Sequence, residues 1–473
     1  MPDSSDKPHP KTVRASMRAS MRASMRGVIL AAGKSTRMKS KTPKVLHPLR
    51  GKLLIEHVLD AVSEATETQP VVVIGAAADE MRAAISHRAS CVLQQPQLGT
   101  GHAMMQAEAV VVGAQHATPE SVLVAAGDMP LLRAETYASL ITQRQDTNAA
   151  ISMLTVRVDN PRGFGRIVRD AQNRVQAIVE EVACTPDQLA IRELNLAVYC
   201  FDGAWLWPAL KRITPNPKKG EYFLTDLVEL AVQDGREVHA TVVEDADECI
   251  GINTRVDLAD ADAALRKRIN KQHMLNGVSI VDPLSTYIDV EVEIGQDAII
   301  LPNTHLLGQT KIGNESVIGP NSLLANATIG ARVEIRQSVI RDSQVDDDAD
   351  VGPFSHLRNG AHVCAGAHVG NFAEIKKSTL GKRSKMGHFS YLGDATVGEN
   401  ANLGAGMITA NYDGANKHET HIGDNAFIGS DTILRAPVRV GDGAATGAGA
   451  VVTKDVPENS LAVGMPARVI KKR

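Results

Sequence analysis

From about residue 293 to residue 446 the chain returns every six residues to an aliphatic side chain followed by a small one. Examples are Ile294-Gly295, Ile312-Gly313, Ile318-Gly319, Val351-Gly352, Val363-Cys364, Leu380-Gly381, Met386-Gly387, Val397-Gly398 and Ile428-Gly429. One apolar residue in six cannot clothe a helix face, which needs three or four in two turns. It can build a coil of three short flat strands per turn, with the aliphatic residues stacked in one interior column. The small residue then sits at a corner, where a side chain would collide or φ must be positive. This half is therefore expected to be a parallel β-helix. The long gaps, from Ile329 to Val351 and from Leu403 to Ile422, are expected to hold loops.

A chain of 473 residues exceeds one hydrophobic core and calls for two or three domains. The net charge is −3 and aromatic residues make up only 3%, so the chain has neither the field nor the stacking platforms of a general nucleic-acid binder. Five cysteines are scattered without a CxxC pair, so neither a zinc site nor a disulfide framework is indicated, and reduced thiols in a cytoplasmic protein are expected. No apolar run reaches the roughly 18 residues of a membrane span. Residues 1–26 repeat Arg-Ala-Ser-Met and carry Lys11, Arg14, Arg18, Arg22 and Arg26. The composition imitates a transit peptide, but with only methionines to bury it reads as a disordered extension. Met17, Met21 and Met25 are candidate translation starts.

Residues 27–253 alternate strand and helix patterns. Strands are expected at 27–30, 71–74, 121–125, 150–156, 175–179 and 196–201, with helices at 53–65 and 101–110. Such alternation points to an α/β domain with a mainly parallel, Rossmann-like sheet, whose ligands gather at the carboxyl ends of strands. Residues 254–276 read as a linking helix, with Leu258, Ala261, Leu265 and Ile269 on one face and Asn276-Gly277 as its stop. Residues 277–473 form the coil domain.

The turn after the first strand, Leu30-Ala31-Ala32-Gly33, offers bare backbone N–H groups to a phosphate. It is not a Walker A loop, because Val28 stands where that loop needs glycine. Gly99-Thr100-Gly101 is not a dinucleotide fingerprint, because Met104 occupies the third glycine position. Arg37 and Lys44 add positive charge, Gln94 and Gly99-Thr100 could read a base edge, and Asp128 ends a strand where a carboxylate can hold Mg²⁺.

Five segments occur in order: Leu30-Ala31-Ala32-Gly33-Lys34 with Thr36-Arg37-Met38, Pro43-Lys44-Val45-Leu46-His47, Gln97-Leu98-Gly99-Thr100-Gly101-His102-Ala103, Gly127-Asp128 with Pro130-Leu131, and Gly220-Glu221-Tyr222 with Thr225-Asp226. They resemble the running motifs of sugar-1-phosphate nucleotidylyltransferases. With a hexapeptide coil behind them, residues 27–465 resemble the bacterial family of bifunctional N-acetylglucosamine-1-phosphate uridylyltransferase and glucosamine-1-phosphate N-acetyltransferase (GlmU). The resemblance implies that Leu30, Ala31, Ala32, Gly33, Lys44, Gln94, Gly99, Thr100, Gly165, Glu180, Asn195 and Asn253 hold nucleotide and sugar. It implies that Asp128 and Asn253 hold Mg²⁺, with UTP and acetyl-CoA as co-substrates. Two departures stand out. Ser35 replaces the second glycine of the phosphate loop and fits only with negative φ or a relaxed loop. Asn195-Leu196-Ala197 replaces Asn-Thr-Gly, which puts the close backbone approach of that glycine in doubt.

On the coil, His388 falls between two corner positions. At about 18 residues per turn, Arg358, Lys376 and Tyr391 fall near one another on successive turns. Two cations beside a neutral imidazole suit a phosphorylated substrate that must lose an amine proton. The family assigns the same roles: His388 as general base, Arg358 and Lys376 on the sugar phosphate, and Tyr391 and Asn402 completing the sugar pocket. Ala405, Asn411, Tyr412, Ser430 and Ala448 would border acetyl-CoA. Asn359 replaces the family's usual proline, and Met465 stands where the family has a late arginine that contacts CoA, leaving Arg468 and Lys454 both as candidates. The resemblance further implies a left-handed coil, a homotrimer and a cytoplasmic protein. Two rival readings stay open: a purely structural coil, and a degenerate head that binds without catalysing. Release of thiol and of pyrophosphate separate them.

Overall fold

The structure is a computed structural model that describes residues 25–113, 118–159, 164–217 and 219–472. It contains two compact units, which divide between Ala263 and Ala264, inside the helix Arg255–Leu275. The expected linking helix is thus present, one residue shorter at each end. Most of the Arg-Ala-Ser-Met extension lies outside the described residues. Its last two residues do not behave as an extension: Met25 and Arg26 open the first strand, Met25–Ala31, and Met25 is buried.

The first unit is built on one twisted sheet. Its strands run in the order Val238–Val242, Ile151–Arg157, Glu193–Asp202, Ser121–Ala126, Met25–Ala31, Val71–Ile74, Ser90–Leu93. A side hairpin, Arg166–Arg169 with Val175–Val179, hangs from Glu193–Asp202. The central strands are continuous aliphatic runs because helices cover both faces. Glu193–Asp202 departs from the parallel expectation. It pairs antiparallel with both neighbours, and its register slips between Asn195 and Tyr199. Met25–Ala31 and Ser121–Ala126 lie parallel, so their carboxyl ends open side by side. Leu54–Thr66 and Thr100–Val112 form the two anticipated helices. Ala134–Thr147, Ser90–Leu93 and Val238–Val242 were not anticipated.

The second unit is the expected β-helix. Its strands form three parallel sheets in which each strand pairs with the third one after it. Ser279–Ile280 begins the first face, Tyr287–Ile288 the second and Glu293–Ile294 the third. The ladder bonds run from turn to turn, as in Gly313 N–H to Ile329 C=O at 2.9 Å and Gly330 N–H to Val345 C=O at 2.8 Å. One continuous core column, including Ile300, Leu357, Ile375, Leu392 and Leu434, fills the interior. The gap between Ile329 and Val351 holds no loop. Ile335, Ile340 and Val345 fill the column there, and the turn is simply shorter, with Thr328 pairing Gln344 and Glu334 pairing Asp350. The gap before Ile422 does hold one, a loop across residues 411–418 closed by the Tyr412–Lys417 bridge. Among the described residues, no helix is long and apolar enough to cross a membrane.

Because each column residue packs against the turns above and below, a truncation cannot be absorbed locally. Ile375 is fully buried, so Ile375→Ala should cost about 2–5 kcal/mol, read as a lower urea midpoint for the unit's transition.

Candidate active sites

In the first unit the carboxyl ends of the parallel strands open into a cavity of about 760 Å³. Its walls include Leu30, Ala31, Ala32, Gly33, Lys44, Gln94, Gly99, Thr100, Asp128, Glu180, Asn195 and Asn253. Gly165 stands behind them: a Cβ built on it would lie 3.7 Å from Glu180 and 3.8 Å from Asn195. Every residue anticipated for this site is therefore at the cavity or directly against it.

The charged centre is compact. Lys44 Nζ reaches Asp128 Oδ2 at 2.5 Å and Asn253 Oδ1 at 2.9 Å, and Arg37 Nη2 donates to the same Asn253 oxygen at 2.9 Å. Asn253 is fixed from behind, because its own N–H and that of Thr254 both donate to Asp257 at 2.9 and 2.7 Å. Two oxygens from different elements thus converge on a single cationic point. Hard divalent cations take this kind of oxygen donor set, and Mg²⁺ keeps its remaining positions for water and phosphate. The residues fit that ion.

The recognition wall is equally determined. Buried Gln94 donates to Gly99 C=O at 2.9 Å and packs its amide against His102 Nδ1 at 3.1 Å. Gly99 adopts φ +94°, and a Cβ there would stand 2.5 Å from Tyr222 C=O, so no other residue fits. Gly33 is different: its neighbourhood is open, and its missing side chain leaves room at the phosphate loop. Sequence reasoning missed Gln97, which ties the loop by donating to Ala32 C=O at 2.8 Å, and Tyr199, whose hydroxyl accepts from Asn195 Nδ2 at 2.8 Å. Gln97 lies inside one of the motifs named above; Tyr199 lines the cavity just past the register slip that follows Asn195.

Both departures noted above land in left-handed backbone. Ser35 has φ +56° and Ala197 φ +54°. Of the two ways in which Ser35 was expected to fit, a negative φ is not the one observed, and the serine bears the strain of the left-handed backbone. A non-glycine residue pays about 1–2 kcal/mol for this conformation, and glycine's larger chain entropy would offset about 0.5–1 kcal/mol. Ser35→Gly and Ala197→Gly should each raise stability by roughly 0.5–1 kcal/mol, seen as a later thermal transition of this unit.

In the second unit the anticipated residues occupy two edges of the second face. The bend between the first and second faces carries His388, Ala405, Ser430 and Ala448 on four successive turns. The turns are joined by Gly406 N–H to Phe389 C=O at 2.7 Å, Asp431 N–H to Ala405 C=O at 2.7 Å, and Gly449 N–H to Ser430 C=O at 2.8 Å. His388 is exposed, and Asn402 lies on the strand that leads into the same edge, Asn402–Leu403. The opposite edge carries Arg358 and Lys376, paired in register, with Asn411 and Tyr412 on the loop below.

Tyr391 pairs with Glu374 in the ladder, and Gly393 is the residue in line with Lys376. The Tyr391 ring lies over Gly393, which carries its hydroxyl to that edge, so Tyr391 does fall near Lys376 as expected. The cations are already partnered. Arg358 pairs Glu374 at 2.7 Å, and Lys376 pairs the buried Asp394 at 3.2 Å. Burial would raise the Asp394 pKa, but Lys376, the Asn411 amide at 2.6 Å and Lys377 overrule it and hold the carboxyl low. Lys417, on the same loop, was missed. Lys376 is held up by hydrogen bonding to Lys417 and then by Asp394, against burial, while Lys417 is pushed down by Lys376 beside it. Three basic side chains, Arg358, Lys376 and Lys417, therefore crowd one edge.

Comparison with known proteins agrees with both units. Residues 27–210 match the MobA-like NTP transferase domain, and residues 291–326 and 419–454 match the bacterial transferase hexapeptide repeat. The chain is 46% identical over 445 residues to "Bifunctional protein GlmU" of Geobacillus sp. (strain WCH70), covering 94% of this chain and 96% of the relative. It is 47% identical over 445 residues to the protein of that name from Heliobacterium modesticaldum, with the same coverage. A Listeria monocytogenes relative of that name is 42% identical over 436 residues, covering 92% and 94%.

Proposed function

This chain belongs to the GlmU family, and from that premise we propose how its two units divide the work. It is a bifunctional enzyme of UDP-N-acetylglucosamine synthesis: acetyl transfer from acetyl-CoA to glucosamine-1-phosphate, then uridylyl transfer from UTP to the acetylated product. The observation that carries this reading is the relatives' match across both units at once. The coil's added chemistry, His388 on one edge of the second face and three basic side chains on the other, favours it over a purely structural coil.

In the first unit the sugar phosphate oxygen attacks the α-phosphorus of UTP, and pyrophosphate leaves. No covalent protein intermediate is needed. Asp128 and Asn253 would hold Mg²⁺, which would neutralise phosphate charge as the leaving group departs. Lys44 and Arg37, now bound to those two side chains, are positioned to turn to the phosphates. Ala31, Ala32 and Gly33 present backbone N–H groups to them. Gln94 and Gly99 would read the base; Gly165, Glu180 and Asn195 would orient the sugar.

In the second unit the glucosamine nitrogen attacks the acetyl carbonyl carbon, the amine proton passes to His388, and CoA leaves as the thiol. Arg358, Lys376 and Lys417 would bind the sugar phosphate. Tyr391 would lie under the ring, and the pantetheine would run along the edge of Ala405, Ser430 and Ala448. The same reading takes the working form as a cytoplasmic homotrimer.

Asp128→Ala should lower UTP-dependent pyrophosphate release at least about a hundredfold and leave acetyl-CoA thiol release intact. His388→Ala should do the reverse, with acetyl transfer down about 10²–10⁴-fold. Loss of both activities in either variant would sink the division of labour. Lys417→Ala removes one charge-assisted bond worth about 1.5–3 kcal/mol, so KM for glucosamine-1-phosphate should rise roughly tenfold or more with kcat less affected.

A further inference from the structure

The small residue that follows each inward aliphatic residue on the third face forms a vertical column: Gly295, Gly313, Gly330, Asp346, Cys364, Gly381, Gly398, Gly423 and Gly441. The corner demands glycine. A Cβ on Gly313 would stand 2.5 Å from the carbonyl carbon of Gly330, and one on Gly295 2.7 Å from the backbone nitrogen of Asn314. Two successive turns break that rule. Both intruders, Asp346 and Cys364, are metal-ligand types.

A third ligand type lies between them. His362 is two residues before Cys364 and pairs with Gln344. Its Nε2 lies 2.9 Å from Asp346 Oδ2 and 3.9 Å from Cys364 Sγ. One donor atom from each of the three residues falls within 4.8 Å of the other two. Around a tetrahedral Zn²⁺, the usual bond lengths put nitrogen and oxygen about 3.3 Å apart and nitrogen and sulfur about 3.6 Å apart. These two separations miss those values by a few tenths of an ångström, and the oxygen–sulfur separation, within 4.8 Å, would close to about 3.6 Å on binding. The other Asp346 oxygen accepts from Gln344 Nε2 at 2.7 Å, which orients the carboxylate. All three side chains are half-buried, so solvent can deliver an ion and fill its fourth position.

We infer that Asp346, His362 and Cys364 form a binding site for a borderline-soft divalent cation, Zn²⁺, which clips two adjacent turns of the β-helix together. A sulfur, an imidazole nitrogen and a carboxylate oxygen select such an ion over Mg²⁺, which prefers oxygen ligands alone. The site lies on the third face and uses none of the residues assigned to either reaction. On binding, the Cys364 thiol proton passes to buffer and sulfur ligates as thiolate.

Co²⁺, a coloured substitute for Zn²⁺, tests this on the reduced full-length protein in excess Mg²⁺. One equivalent per chain should produce a near-ultraviolet thiolate-to-cobalt band, and Zn²⁺ should abolish it. Cys364→Ser should lose the band while keeping its circular dichroism and uridylyl activity; Cys184→Ser should keep it. His362→Ala and Asp346→Asn should each weaken Co²⁺ binding at least about tenfold, the loss that even outer-shell partners cause. No band in the wild type, or a band that persists in Cys364→Ser, overturns the proposal.

Discussion

Parallel pairing is the constraint on which both units depend. When strands run the same way, their equivalent ends lie side by side, and whatever follows each strand is gathered at one edge. In the first unit this sets the phosphate loop after Met25–Ala31 beside Asp128 after Ser121–Ala126. In the second it repeats down the stack, so one corner position becomes a vertical edge. His388, Ala405, Ser430 and Ala448 share an edge for that reason, and so do Arg358 and Lys376. Function here follows from ladder register more than from any single residue's environment.

Charge in the two sites is neutralised in advance. Lys44 sits against Asp128, Arg358 against Glu374, and Lys376 against Asp394. A polyanionic substrate arriving at either site meets cations that already have a carboxylate or amide to hold them. Such pairing keeps a cluster of like charges from repelling itself apart while the site is open. It also means that each ligand must win an exchange. At the first site a divalent cation would take over the two oxygens and free Lys44 for phosphate. At the second, Lys376 beside it pushes the Lys417 pKa down, and an arriving phosphate would favour the charged form of both lysines.

Much of this was legible in sequence because periodicity and motif order are local signals. The six-residue repeat specified the β-helix, and the segments around Gly33, Lys44, Gly99 and Asp128 specified the first site. What stayed hidden depends on register or on backbone sign. The apparent loop between Ile329 and Val351 is only a shorter turn, because Ile335 and Val345 take over the column. Tyr391 reaches the edge of Lys376 by its ring lying over Gly393, while its backbone pairs with Glu374, a detail of register that spacing does not show. The cluster of Asp346, His362 and Cys364 is assembled by stacking of successive turns, with Asp346 sixteen residues before His362, which no short-spacing motif registers. Lys417 carried no motif of its own and is explained only by its neighbour Lys376.

Ser35 and Ala197 show that left-handed backbone can be held in place without glycine. Two chain positions suited to glycine carry side chains, and both keep the left-handed conformation. If the loops were free to choose, each would relax to negative φ and lose its strain. They do not, because their surroundings are overdetermined. Ser35 is followed by the short helix Thr36–Met38, anchored by fully buried Met38, and Ala197 N–H is held by Asn195 Oδ1 at 3.0 Å within the register slip of a central strand. The strain therefore resides in two segments that line one cavity. The surrounding fold, rather than the residue at either turn, holds these two segments in left-handed backbone.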